Sequence, residues 1–364
     1  MTGIDTLPIP TYRGCTLGEK LVRSIVLFNN KGGVGKTTLT ANVAAYIAQK
    51  FDKRVCVIDG DPQCNVTQLI LGDDKTIELY WPNRRSPLKR TATLLDVVQP
   101  IMDGDANIDA EINPQLAIDN RFGVDLIPGH PRISAVEDTL SRAWTDLTAA
   151  KIGGFRITLW LKYLLNELNS KYDYVFVDVG PSLGSINRSI LVSCSSFITP
   201  LGSDVFSLLG IRNIAQWMTT WADEYSRSHS SATRSNSEQV EKYDVPTELS
   251  ITSGFGGYTL QQYITKSKQG KRRATVAFEK IMERVPKEVE TNLSRFMPSS
   301  MNVDDLHLGD VPNLYSIIPL AQNVNAPIFA LKGSDKLVGS QYQQAQSYSQ
   351  LIAGVSTKLV QNIG

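Results

Sequence analysis

Short apolar runs and helical periodicities alternate along most of the chain. Ser24–Asn29 (SIVLFN) is an apolar run that stops at a glycine cluster, the pattern of a buried parallel strand. Lys36–Lys50 follows, with Leu39, Val43, Tyr46 and Ile47 on one helical face, and Arg54–Asp59 (RVCVID) predicts the next strand. Strand, glycine loop, helix and strand make a βαβ unit, so the expected fold is α/β: a mostly parallel central sheet flanked by helices. Further strands are predicted at Val124–Pro128, Tyr172–Val179, Phe197–Pro200, Leu249–Thr252 and Leu314–Pro319. Helical patterns cover Ile133–Leu147, Arg156–Leu168, Ser185–Ser193, Leu208–Tyr225 and Ser340–Val360.

Two segments break this rhythm. Residues 72–122 are irregular and hold WPNRRSPLKR, where Arg84, Arg85, Lys89 and Arg90 surround two prolines; they read as a surface insertion. Residues 226–247 are rich in Ser, Thr and charge, a composition that predicts a mobile loop or a solvated helix end. Residues 1–23 read as a polar arm, too short for a helix-turn-helix domain. The rest, 24–364, reads as a single domain carrying the two insertions. No internal repeat is visible.

Composition narrows the function classes. The 364 residues carry 37 Lys+Arg against 36 Asp+Glu, a formal charge of +1, which excludes a globally basic nucleic-acid binder but not a local basic patch. Cys15, Cys56, Cys64 and Cys194 form no CxxC pair, which argues against a disulfide framework or a zinc site. No apolar run approaches a membrane span, and the first residues lack a secretory pattern. The expectation is a cytoplasmic enzyme or switch.

The sharpest signal is NNKGGVGKTT at 29–38. Gly32, Gly33 and Gly35, with Val34 between them, let backbone N–H groups turn inward, and the next helix aims its N-terminus at the same point. Lys36 can reach β- and γ-phosphates, the Thr37 hydroxyl can ligate Mg2+, and Thr38 can contact the α-phosphate. Asn30 stands where the strict G-x4-G-K-[ST] pattern has glycine, and a second lysine, Lys31, lies inside the loop. Two strands end in acids nearby, VIDGDPQCN at 57–65 and VFVDVGPSLG at 175–184. An apolar strand ending in Asp178 suits water-mediated binding of Mg2+.

These motifs resemble the ParA/MinD superfamily of deviant Walker A, SIMIBI-type P-loop NTPases, closest in pattern to ParA/Soj-type partition ATPases. The resemblance runs from about residue 23 to 360. It implies ATP and Mg2+ as cofactors and slow, partner-stimulated hydrolysis. Lys31 is then the signature lysine that reaches the phosphates of a partner subunit. Asp61 positions the attacking water, and Asp59 supports the magnesium shell. Cys64 stands where the family has glycine. Gly180 replaces a proline, which is expected to loosen the segment after Asp178. Pro319 and Leu320 match the positions that line the adenine pocket, without the usual arginine after the proline. Pro200–Gly210 resembles a segment with dimer contacts. One loop per chain implies a homodimer with two ATP molecules.

The remaining surfaces suggest partners. Lys266, Lys268, Lys271, Arg272 and Arg273, with Lys280 and Arg284, lie in a basic loop running into a helix and are candidates for DNA-phosphate contact without base readout. The C-terminal helix has one cation, Lys358, which argues against a membrane anchor. Nitrogenase-like redox chemistry fails because no suitable cysteine pair is present. The leading expectation is an ATP-driven dimer that binds nonspecific double-stranded DNA, partitions cargo on the nucleoid and is reopened by a stimulating partner protein. The alternative keeps the ATPase but has it recruit a protein machine without DNA.

Overall fold

A computed structural model describes residues 22–81, 93–263, 265–268, 271–274, 280–312, 314 and 316–364. The predicted arm up to residue 21, and Arg84, Arg85, Lys89 and Arg90, lie outside the described residues.

In chain order, β1 (Arg23–Leu27) leads into α1 (Lys36–Phe51), and β2 (Val55–Asp59) into α2 (Asn65–Leu71), α3 (Asp73–Tyr80) and α4 (Leu94–Met102). Next come β3 (Asp125–Ile127), α5 (Glu137–Thr148), α6 (Ile152–Thr158), α7 (Trp160–Leu168), β4 (Tyr174–Asp178) and α8 (Ser185–Ser193). The chain continues through β5 (Ser196–Gly202), α9 (Val205–Lys242), β6 (Phe255–Tyr263), β7 (Thr265–Lys268), β8 (Lys271–Ala274) and α10 (Val285–Leu293). It closes with β9 (His307–Pro312), α11 (Ile317–Asn323) and α12 (Gln341–Ile363).

Seven strands form one sheet in the order β3-β2-β4-β1-β5-β6-β9, and every neighbouring pair is parallel. Alternate strand residues feed two cores. Val26, Ile58 and Val177 pack toward α4 to α9, while Ile25, Val57 and Phe176 pack toward α1, α2, α11 and α12. Burial on both faces explains why these strands read as continuous apolar runs. With β1 near the middle, the β1–α1 loop opens beyond the carboxyl ends of the strands, where parallel sheets hold ligands.

Several expectations need correction. Part of the supposed surface insertion at 72–122, the helix α4, is built into the fold. Thr93 and Asp96 cap α4 reciprocally, and Leu94, Leu95, Val97, Val98 and Ile101 are buried. The segment 226–247 mostly continues α9, with a break in helical geometry at Asn236. Its small polar residues satisfy themselves: Ser228, Thr233 and Ser235 hydroxyls donate to carbonyls one turn back. Composition concealed this, because Ala232 and Val240 are the apolar anchors of a mostly polar stretch.

The strand expected at Leu249–Thr252 is a 3-10 turn over Ser250–Ser253, and the strand starts at Phe255. The strand expected at Leu314–Pro319 is displaced to His307–Pro312, and Ile317 opens α11 instead. The edge strand β9 is polar enough to hide, and a short apolar run does not separate strand from helix. The helix expected from Ile133 begins as a 3-10 turn over Pro131–Val136, and the next one breaks at Leu159. The basic loop is an antiparallel ribbon, β7–β8, that pairs Lys266 with Arg273 and Lys268 with Lys271. No helix among the described residues is long and apolar enough to cross a membrane.

One ion pair ties the turn before β3 to the segment before α12. Arg121 donates to both Asp335 oxygens at 2.8 and 2.9 Å, and the Asp335 side chain is 10% exposed. The Arg121 hydrogen bonds hold the Asp335 carboxyl at about 2, against an ordinary 3.8. A depressed carboxyl stabilises the fold above its unfolded value and loses that contribution as pH falls through its folded value. Asp335→Asn is therefore expected to lower the melting temperature at neutral pH. Thermal melts in a pH series should show the gap from the wild-type protein closing between about pH 4 and pH 2.

Candidate active site

The chain leaves β1 and turns through Gly33 (φ 72°) and Gly35 (φ 78°) into α1. Both lie in the left-handed region that glycine enters without steric cost. Lys36, the first residue of α1, is buried, and its Nζ donates to the carbonyls of Asn29 and Lys31 at 3.0 Å each. Burial pushes the Lys36 ammonium below its ordinary value, while Asp178 and Asp61 pull it back up. The loop opens on a cleft of about 430 Å3 lined by Gly32, Gly33, Lys36, Thr37, Thr38 and Asp61. Val34 is buried beside it.

Strand register supplies the acids. Leu27 and Asp59 both align with Asp178, so two carboxylates meet at the ends of adjacent strands. The Thr37 hydroxyl donates to Asp178 Oδ2 at 2.8 Å. Burial, then the neighbouring Asp59, pushes the Asp178 carboxyl up to about 8. Burial raises Asp59 to about 7, against hydrogen bonds from Thr67. Both Asp59 oxygens are occupied: Oδ1 accepts the Asp61 N–H at 3.2 Å, and Oδ2 accepts the Thr67 N–H and hydroxyl at 2.9 and 2.6 Å. Asp59 thus holds the Asp61 turn and the start of α2.

Asp61 is buried, accepts the Gln63 N–H at 3.0 Å and lies against Gly180. A Cβ at position 180 would come within 3.1 Å of Asp61 Oδ1, so glycine makes room for this carboxylate. The segment after Asp178 is not loose. Asn187 Nδ2 donates to the carbonyls of Gly180 and Ser182 at 2.8 and 2.7 Å. Glu137 of α5 caps α8 by accepting the Ser185 and Ile186 N–H groups. Arg188 of α8 stacks over Trp144 at 4.4 Å, and Trp144 Nε1 donates to Glu224 of α9 at 2.9 Å. Cys64, in the expected glycine position, adopts φ 53° before α2, and burial pushes its thiol up to about 12.

The donors fit magnesium. Thr37 and Asp178 present hard oxygen ligands beside the phosphate loop, and a buried acid gains most from a neighbouring cation. No group of three metal-ligating side chains forms among the described residues, so phosphate and water oxygens would complete the shell.

A family model described as an AAA domain matches residues 22–229, more than half of the chain. The chromosome partitioning protein ParA of Caulobacter vibrioides is 30% identical over 194 residues, covering 53% of this chain and 61% of that protein. The sporulation initiation inhibitor protein Soj of Bacillus subtilis is 28% identical over 194 residues, 52% of this chain and 62% of its own length. The chain belongs to the ParA/MinD family of P-loop ATPases. It spans under two thirds of the length of these curated relatives. The protein DIP2308 from Corynebacterium diphtheriae superposes with a TM-score of 0.68 at 32% identity, over 84% of this chain and 97% of that one. The ATP complex of Cyanothece McdA shares the fold, with a TM-score of 0.58 at 14% identity, over 93% of this chain and 96% of that one.

Against ParA-type expectations, some residues stand elsewhere. Pro319 is exposed on α11 and Leu320 is half-buried beside it; neither lines the cleft. The wall away from the phosphate loop is made by Gln261, Val311, Pro312, Leu314, Ile318 and Tyr348. Val311 and Pro312 were missed because the last strand was placed too late, and Gln261 and Tyr348 because they come from β6 and α12, which nothing local ties to the cleft. Lys31 is paired with Asp204 and is absent from the cleft lining. Asp204 was also missed; an acid before an apolar helical run is an N-cap signal that could have shown it. Lys266, Lys268, Lys271, Arg272 and Arg273 fall on the β7–β8 ribbon.

Lys36→Ala removes a buried cation aimed at the loop. Its affinity for an ATP analogue, measured by calorimetry with magnesium, is expected to fall about tenfold or more. Wild-type affinity in that variant would remove Lys36 from the binding site.

Proposed function

We propose that the protein is an ATP-binding and ATP-hydrolysing dimerisation switch of the ParA type, working in the cytoplasm. One observation carries the reading. Lys36, Thr37 and Asp61, from the ends of β1 and β2, line one cleft, and the buried Asp178 at the end of β4 accepts the hydroxyl of Thr37 at its edge. Phosphoryl transfer needs mainly positioning and charge neutralisation, and this set supplies both.

The loop N–H groups and Lys36 hold the β- and γ-phosphates, and Thr38 contacts the α-phosphate. Magnesium, when bound, neutralises developing phosphate charge, and Thr37 and Asp178 are the residues that hold it. Asp61 accepts a hydrogen bond from the attacking water and aims it. The side chains of Leu314, Ile318 and Tyr348 face the base, with the Gln261 amide beside them. Lys31 supplies positive charge to the phosphates of a second copy, so two subunits close around two ATP molecules. The closed dimer binds nonspecific duplex DNA through the basic β7–β8 ribbon, and a partner protein stimulates hydrolysis. Doubling the ribbon in a dimer raises affinity by avidity.

A second reading has its own support. Ile77, Trp81 and Ile118 are 55%, 73% and 89% exposed, and Lys75 of α3 donates to the Asp119 carbonyl at 2.6 Å. Exposed apolar groups suit a protein partner better than a phosphate backbone. On this reading the ATP-bound dimer recruits a protein machine without DNA.

Asp61→Ala is expected to bind ATP, stop turnover and accumulate as dimer. Incubated with random duplex DNA and ATP–magnesium, it should bind, and binding should fall steeply with salt; with ADP–magnesium it should not bind. A confirmed dimer that ignores DNA would favour the protein-machine reading. Turnover at the wild-type rate would remove Asp61 from its role. Gly180→Ala crowds the Asp61 carboxylate, so steady-state turnover is expected to drop about tenfold or more at saturating ATP, with nucleotide affinity nearly unchanged.

A further inference from the structure

Lys31 belongs to the phosphate loop by sequence, yet its ammonium sits on Asp204 at the start of α9. Asp204 is the N-cap of that helix. Its Oδ1 accepts the Phe206 N–H at 3.0 Å, and its Oδ2 accepts the Ser207 hydroxyl at 3.2 Å as well as Lys31. Burial works against the charged carboxyl, but Lys31, then Ser207 and Phe206, hold it below its ordinary value.

The surroundings are shaped around this contact. A Cβ at Gly202 would lie 2.8 Å from Asp204 Oδ2 and 3.8 Å from Lys31 Nζ, so glycine opens the space the pair occupies. Asn29 Nδ2 donates to the Pro200 carbonyl at 2.7 Å, and a Cβ on Gly210 would meet Asn30 Oδ1 at 3.2 Å. The first half of the phosphate loop therefore lies along the β5–α9 junction. Beside the pair, Val205, Phe206 and Leu209 are 56%, 69% and 49% exposed.

We propose that Asp204 is a positioning residue that parks Lys31 on α9 in the single subunit, and that Lys31 reaches the phosphates of a second copy only when this pair opens. The inference rests on the ATP-closed dimer read above. The pair suits a latch because it is weak. Its side chains are 41% and 32% exposed, so solvent screens the attraction. Exposed pairs of this kind change an equilibrium by about twofold to fivefold. Closing a dimer opens two latches, so their combined effect on its dissociation constant is about fourfold to 25-fold. A phosphate group, with more charge than one carboxylate, is a stronger competitor for the lysine.

Asp204→Asn isolates the charge. Asparagine caps helices as well as aspartate: its Oδ1 still accepts the Phe206 N–H, and its Nδ2, in the place of Oδ2, donates to the Ser207 hydroxyl oxygen, so α9 is kept. Asp204→Ser is a second neutral cap of different shape. Each is placed in the Asp61→Ala protein, and the dimer dissociation constant is measured by sedimentation equilibrium with ATP–magnesium. Both variants are expected to tighten the dimer by about fourfold to 25-fold. ATP affinity at concentrations where the protein is monomeric should not change. An unchanged or weaker dimer in both variants would overturn the latch. An Asp61→Ala parent that stays monomeric with ATP would overturn the dimer reading itself, and the latch with it.

Discussion

Asp178 is a carboxylate with no exposure to water, placed where three strands end together. Such a group is costly to charge unless something nearby compensates it. The Thr37 hydroxyl is the closest donor, and Lys36 lends positive charge from the same helix turn. Much of the cleft follows from this constraint. The parallel register of β1, β2 and β4 delivers the acid to the phosphate loop. The glycines let that loop come close without side chains in the way. Asp59, equally buried, takes its compensation from Thr67 and from the Asp61 N–H.

The balance explains which features were legible in the chain. NNKGGVGKTT and the acids at 59, 61 and 178 announce themselves because a phosphate site needs particular residue types at particular spacings. The central strands were equally plain, since burial on both faces leaves a continuous apolar run. The far wall of the cleft was not. Gln261 and Leu314 come from the ends of β6 and β9, and they meet only because a polar edge strand takes its place in the sheet. Nothing local distinguishes His307–Pro312 from a loop. In α9 the misleading signal was composition: serine and threonine look like loop until their hydroxyls are seen bonded one turn back. Gly180 misled differently. A proline-to-glycine change suggests freedom, but Asn187 holds the carbonyls at 180 and 182.

The two segments that border the cleft are each braced from outside. The loop before α1 leans on β5 and α9 through Asn29, Asn30 and Lys31. The segment after β4 is held by Glu137 and Asn187. None of these bracing side chains lines the cleft, yet both braces decide where backbone and side chains stand within it. This is the positioning on which phosphoryl transfer depends.

Helix α9 joins these two braces. Its first residues carry the Lys31 contact through Asp204, and Glu224, five turns on, holds the indole that covers Arg188 of α8. Phosphate loop, α9, Trp144 and α8 are thus joined by one series of side-chain contacts. Transplanting the phosphate loop of a relative into this chain would therefore carry over its residues but not the partners that seat it, which lie on a strand and a helix well outside the graft.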